Sequence, residues 1–217
     1  PGGDGDRYGE LWNLVFQQFN QQESGELLPL PAPGIDTGMG LERTAAVLQG
    51  LDTIHHTDLF APIINAIPQC KSGGALQVEY STPELDPQNP ATKPKKIIAD
   101  HIRAATFLAA EGVAPGNTGR DYMLRRFIRR AYLQGRRLDL REPFLYRIVP
   151  VVTAMFGETY PELAARGEVI EAMVRREEER FGGTIEAGVN RLDNLIEELK
   201  RKGERVLPGA EVFRLYE

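Results

Sequence analysis

The sequence has one cysteine, Cys70, which excludes an internal disulfide and any zinc site built from several cysteines. No apolar run approaches the roughly 20 residues that cross a bilayer as a helix, so no membrane span is expected. The opening PGGDGDRYGE has neither a basic flank nor an apolar stretch, which argues against a secretory signal. It also lacks an initiator Met and reads as part of a loop, so the chain is expected to be an internal piece of a longer protein. Internal repeats and low-complexity tracts are missing too. A reducing, cytoplasmic location fits the near-absence of cysteine.

What remains is ordinary for a globular protein: 41% hydrophobic and 26% charged residues. The formal net charge of −5 argues at first against a polyanionic partner. That average conceals an asymmetry, because residues 120–147 hold nine arginines against three acids, Asp121, Asp139 and Glu142. Acids gather later, as in the run Arg175-Arg-Glu-Glu-Glu-Arg180. For a polyanion the local field counts for more than the total.

Residues 8–20 are rich in aromatic and β-branched side chains and predict a strand. QESGE (22–26) supplies a turn, LLPLP (27–31) a partner strand suited to a sheet edge, and PGIDTGMG (33–40) a further short strand with a glycine turn. LERTAAVLQG (41–50) predicts a helix with Leu41, Ala45 and Leu48 on one face. Another helix is expected over 58–67, capped by Thr57-Asp58 and stopped before Pro68. The segment 71–95, with Pro83, Pro87, Pro90 and Pro94, reads as a loop. From Lys96 the pattern is helical: one helix carrying Ile98, Ile102, Ala105 and Ala109, a basic one over 121–135, and one over 141–157. A long periodic stretch follows over 161–202, with a bend or junction expected at Gly182-Gly183, and a last helix starts at Pro208. The fold class is therefore α+β, predominantly α. The expected domains are 1–50, β-rich with one helix, and 51–217, all helical.

Within the first part, IDTGMGLER (35–43) is the most informative run. Gly38 and Gly40 let backbone approach a ligand, Asp36 sets a carboxylate before the turn, and Arg43 projects from the first turn of a helix. An arginine there can stack on an adenine ring and meet a phosphate. A tight strand-to-helix turn with a surface arginine explains the same residues. In the second part, Arg125, Arg126, Arg129 and Arg130 recur at helical spacing, with Met123, Phe127 and Tyr132 between and around them. Such a ridge suits phosphates. A solvated face paired with acids from 171–198 is the other reading.

IDTGMGLERTAAVLQ resembles the third signature motif of class II aminoacyl-tRNA synthetases, in the form found in the alanyl-tRNA synthetase family. DGDRYGELWNLVFQQFN is similar to that family's adjoining strand. ADHIRAATFLAAEGVAPGNTGRDYMLRRFIRRA and EVFRLYE are similar to its tRNA-recognition region. The resemblance implies the end of a class II antiparallel-sheet catalytic domain followed by an all-helical tRNA-recognition domain. It implies that Asp36 binds the α-ammonium of alanine with Gly38 beside it, while Asn13 and Val15 serve the same pocket. Asn13 would hydrogen-bond substrate and Val15 limit side-chain size, although sheet packing alone would also explain Val15. Gly40 and Arg43 would hold ATP. The implied reaction is alanine activation to alanyl-adenylate, then transfer to the 3′ end of tRNA(Ala), with Mg²⁺ assisting through ligands mainly outside these residues.

For the second half, the resemblance implies that Asn117 reads a G·U wobble pair of the acceptor stem from the minor groove. The alternative for Asn117 is an ordinary turn residue. Arg120, Arg125, Arg126, Arg129 and Arg130 would contact the RNA backbone. Glu217 stands where the family carries an aspartate as its second reader; it keeps the acceptor on a side chain one methylene longer. The first two class II motifs are expected before Pro1, so this chain by itself is expected neither to activate alanine nor to bind ATP tightly. The family's zinc centre belongs to an editing domain that is not expected here, and His55-His56 lacks a third ligand at metal spacing. His101 is expected to be structural and Cys70 inert. A noncatalytic RNA-binding module and a helical protein-interaction domain are the rival functional readings. Salt-sensitive acceptor-stem binding would separate the last of these from the others.

Overall fold

The computed structural model describes residues 9–216, and the fold is α+β with helix predominating. The chain divides into two compact units, Pro1–Phe60 and Ala61–Glu217.

In the first unit, β1 (Trp12–Gln21) pairs antiparallel with β2 (Leu27–Met39). The turn between them closes through Gln22 N–H to Glu26 O at 2.9 Å and Gly25 N–H to Gln22 O at 2.9 Å. Gly25 sits at φ 86°, a conformation glycine adopts without a Cβ clash. Expectation had two short strands over 27–40; they are one continuous strand. The ladder slips between Gln17 and Phe19, whose partners are Gly34 and Pro29, so β2 advances five residues while β1 advances two. Pro29, Pro31 and Pro33 are spaced by two, and a strand with a single partner tolerates the donors they lack.

α1 (Leu41–Leu48) follows directly. Its expected apolar face is a correction: Leu41 and Leu48 are exposed, and Ala46 is the buried residue, because no described element covers that side. Gln49 and Asp58 then tie the end of α1 to the following segment, Gln49 Nε2 donating to Asp58 Oδ1 at 2.8 Å.

The second unit is helical: α2 (Ala61–Gln69), α3 (Thr92–Ala110), α4 (Gly119–Arg136), α5 (Leu145–Phe156), α6 (Pro161–Lys202) and α7 (Gly209–Tyr216). Its core joins Ile63 and Ile67 of α2, Ile98 and Ile102 of α3, and Leu124 and Ile128 of α4. Leu145 and Ile148 of α5 and Ile170 and Val174 of α6 complete it. The segment before α3 is irregular as expected but pinned: Asn65 Nδ2 donates to Ser81 O at 2.8 Å, and Arg147 Nη1 to Cys70 O at 2.7 Å. Two boundary differences fall at prolines, Pro94 and Pro68. Pro94 lies in the first turn of α3, where no helical partner exists for its nitrogen, so the loop ends earlier than 95. Pro68 and Pro150 lie inside α2 and α5, held there by the surrounding core.

No junction divides α6 at Gly182-Gly183; the helix runs unbroken through the pair. A Cβ on Gly182 would stand 2.9 Å from the Tyr132 hydroxyl, so that glycine serves close packing against α4. Among the described residues no helix is long and apolar enough to cross a membrane.

Candidate functional site

Four sequence-predicted residues come together on the hairpin. Asn13 pairs with Gly38, and Val15 pairs with Asp36. Directly opposed residues of an antiparallel ladder share a face, and so do residues two apart, so all four lie on one face. A Cβ on Gly38 would meet Asn13 Oδ1 at 3.1 Å, which leaves room there for little beyond hydrogen. Asn13 Nδ2 donates to Glu10 Oε1 at 3.0 Å. Asp36 is exposed and bends one oxygen back to accept from Thr37 N–H at 2.9 Å, which fixes its rotamer and leaves its second oxygen to meet a cation. The arrangement is an open, acceptor-bearing face suited to an ammonium group.

β2 runs straight into α1 through Gly40, whose N–H reaches Leu11 O at 3.0 Å. The Arg43 side chain lies across Gly40, 3.4 Å from where a Cβ would be, and Nη1 donates to Glu10 O at 2.7 Å. Arg43 remains exposed, with Nη1 of its guanidinium anchored to backbone. A planar cation held in this way can stack on a base or pair with phosphate.

In the second unit the expected four-arginine ridge on α4 divides in two. Arg126 and Arg130 are exposed, as is Arg120. Arg125 and Arg129 turn inward toward Glu177 of α6, with Nε to Oε1 distances of 3.4 and 2.7 Å. The physical reason is angular: on a helix the two i,i+4 pairs are offset by about 100°, so one pair faces α6 when the other faces water. Arg129 also lies over the Phe181 ring, 4.9 Å from its centre. Tyr132, expected among the ridge side chains, belongs to the core, and its hydroxyl donates to Arg141 O at 3.0 Å. Asn117 lies exposed in the loop before α4, and its Oδ1 accepts from Arg125 Nη1. Glu217 lies outside the described residues.

A cavity of about 620 Å³ opens beside this loop, lined by Pro115 and Arg125 on one side and by Met173, Arg176, Glu177 and Arg180 of α6 on the other. Arg176 and Arg180 are exposed and add cationic groups that sequence reading missed. The alternative of pairing with acids from 171–198 holds for Arg125 and Arg129, whose partner is Glu177. Glu179 does face solvent and pairs with Arg175 at 2.9 Å, but Glu177 and Glu178 are buried. The signal was present: these two follow the core residues Ile170 and Val174 by helical spacing. Glu178 accepts from the N–H groups of Phe144, Leu145 and Tyr146 at 2.9, 2.8 and 3.0 Å, capping α5 from another helix. Burial pushes its carboxyl up to about 7, opposed by those three hydrogen bonds.

The histidines and the cysteine have local roles. His55 Nδ1 lies 3.3 Å from Thr53 Oγ1, and its ring packs on Phe60. His101 sits edge-on to Phe127 with ring centres 5.1 Å apart. Burial pushes the Cys70 thiol up to about 12, which withholds the reactive thiolate. Among the described residues no three His, Cys, Asp or Glu side chains cluster closely enough to hold a metal ion.

The chain matches the family model for class II (A) tRNA synthetases over residues 1–217. It is 46% identical over 217 residues to the alanine–tRNA ligase of Desulfosudis oleivorans, covering 100% of the chain and 24% of that protein. Against the alanine–tRNA ligases of Geobacillus thermodenitrificans and Geobacillus kaustophilus the identities are 44% and 45%, again over 100% of the chain and covering 24% and 23% of those proteins. The chain thus spans about a quarter of the length of the curated relatives it matches. With all 217 residues inside the family match, the chain belongs to the class II (A) tRNA synthetases.

Proposed function

We propose that the protein carrying this chain ligates alanine to tRNA(Ala) in the cytoplasm. In this reading residues 1–50 supply part of the alanine and ATP site, and residues 51–217 read the acceptor stem. The observation that carries it is the single hairpin face shared by Asn13, Val15, Asp36 and Gly38. Asp36 would hold the α-ammonium, Asn13 would hydrogen-bond the substrate, and Val15 would limit the side chain to a methyl group. Arg43 would hold ATP. The alanine carboxylate attacks the α-phosphate, a carboxyl–phosphorus bond forms and pyrophosphate leaves; a ribose hydroxyl of the tRNA 3′ end then attacks the acyl carbon and AMP leaves. Positioning and charge neutralisation supply most of the rate in such transfers.

Asn117 would accept a hydrogen bond from the guanine 2-amino group, which a G·U wobble leaves without its Watson–Crick partner. Arg120, Arg126 and Arg130 would meet phosphates. The identities of 43–46% to alanine–tRNA ligases support this assignment over a noncatalytic RNA-binding module. The test is alanylation, by the protein carrying this chain, of acceptor-stem hairpins with G·U or G·C at the recognised pair. G·U is expected to be favoured by at least about tenfold, the scale of one base-edge contact, and Asn117→Ala is expected to remove the preference. Equal charging of both hairpins would refute the assignment of Asn117.

A further inference from the structure

The side-chain amide of Asn117 faces a cation that is itself held on three sides. Arg125 Nη1 donates to Asn117 Oδ1, and Nη2 donates to Pro115 O at 3.1 Å. Its Nε lies 3.4 Å from Glu177 Oε1, an ion pair without a hydrogen bond. Glu177 is buried and also binds Arg129 Nε at 2.7 Å, so the carboxylate that steadies Arg125 is itself fixed between two helices. The Arg125 side chain keeps 14% of its surface exposed, leaving little of it for a phosphate.

We infer that Arg125 is a positioning residue for Asn117, acting with Glu177 to decide which atom of the carboxamide meets the RNA. A terminal amide rotates in a broad, roughly two-fold well, so a free asparagine offers oxygen or NH₂ with similar ease. Arginine has donors and no acceptor, so only the oxygen can stand opposite it. A charge-assisted bond of this kind is strong enough to hold the rotamer. Oδ1 has two lone pairs; one is taken by Arg125, and the other is left at a fixed angle toward solvent. A fixed acceptor prefers a base edge with a spare amino donor and is left unpaired by one without it. Lysine at position 125 would keep the charge but not the planar fork that spans Pro115, Asn117 and Glu177 together. The inference rests on the proposed role of Asn117 as the base reader.

The test uses the full chain and short acceptor-stem duplexes carrying G·U or G·C, with Asn117→Ala, Arg125→Lys, Glu177→Gln and the Asn117→Ala/Arg125→Lys double variant. Two quantities are read: the ratio of affinities for the duplexes, and the order of the Asn117 side-chain NH₂ by ¹⁵N relaxation without RNA. Arg125→Lys is expected to bring a ratio of about tenfold to within about twofold of unity, with no further loss in the double variant. The Asn117 amide should be rigid in the parent and mobile in the lysine variant. Glu177→Gln keeps the side-chain shape and should shift both readouts in the same direction, which guards against a variant that fails to fold. An Arg125→Lys protein that keeps its ratio while both affinities fall equally would make Arg125 a phosphate anchor and overturn the inference; so would an unchanged amide order. If Asn117→Ala keeps the preference, the reading of Asn117 fails instead, and the amide order still decides what Arg125 does.

Discussion

Glu178 shows how one residue can link two helices at a pH-dependent cost. α5 begins without a side-chain cap of its own, and the carboxylate from α6 accepts three of its first N–H groups. Those bonds favour the charged form, but burial outweighs them and pushes the carboxyl up from 4.5 to about 7. The folded state therefore holds this proton more tightly than the unfolded chain does. The Glu178 contribution to stability is fullest below about 4.5 and declines as pH rises to about 7. Thermal unfolding across that window should show a decline that Glu178→Gln, which cannot titrate, lacks; parallel profiles for the two proteins would contradict this. Among the candidate site residues, Asn13, Val15, Asp36 and Gly38 came from the resemblance; strand alternation puts Asn13 and Val15 on one face, but their pairing with Gly38 and Asp36 depends on the slip between Gln17 and Phe19, which no local signal marks. For Glu177, helical spacing from Ile170 and Val174 signals burial, but its partner Arg129 lies 48 residues away in sequence, so the pair itself depends on how α4 packs on α6.

At the scale of elements, periodicity located the helices, while proline and glycine misled wherever tertiary packing overruled local preference. Pro68 stays inside α2, where a stop was expected, because the apolar residues around it are buried, and burial outweighs one missing hydrogen bond. The Gly182-Gly183 pair read as a break, yet it marks contact on one side and open space on the other. Gly135 is the sharper case: a Cβ there would stand 2.2 Å from Phe144 Cε1. Gly135→Ala should lower stability by about 1–3 kcal/mol through overpacking, despite the better helix propensity of alanine. At Gly183 no heavy atom lies within 4 Å of the added Cβ, so Gly183→Ala should be neutral or stabilising by up to about 1 kcal/mol. Chemical denaturation of both variants checks the pair, and equal effects would contradict the contact assigned to Gly135.

Over the whole molecule, a net charge of −5 coexists with the exposed arginines Arg120, Arg126 and Arg130 of α4 and Arg176 and Arg180 of α6. These arginines belong to the unit that has its own helical core. The hairpin of the other unit keeps Trp12, Leu14, Phe16 and Ile35 exposed, and two strands alone are marginally stable. The division of labour proposed for the protein, amino-acid activation on the hairpin and RNA reading on the helices, depends on Asp36 and Arg43 serving different substrates. Alanine-dependent ATP–pyrophosphate exchange by the protein carrying this chain measures that directly. Asp36→Ala is expected to raise the KM for alanine by at least about tenfold, and Arg43→Ala to do the same for ATP, each figure reflecting one lost charge-assisted contact. Exchange that requires no alanine, or that keeps both constants in both variants, would contradict the assignment.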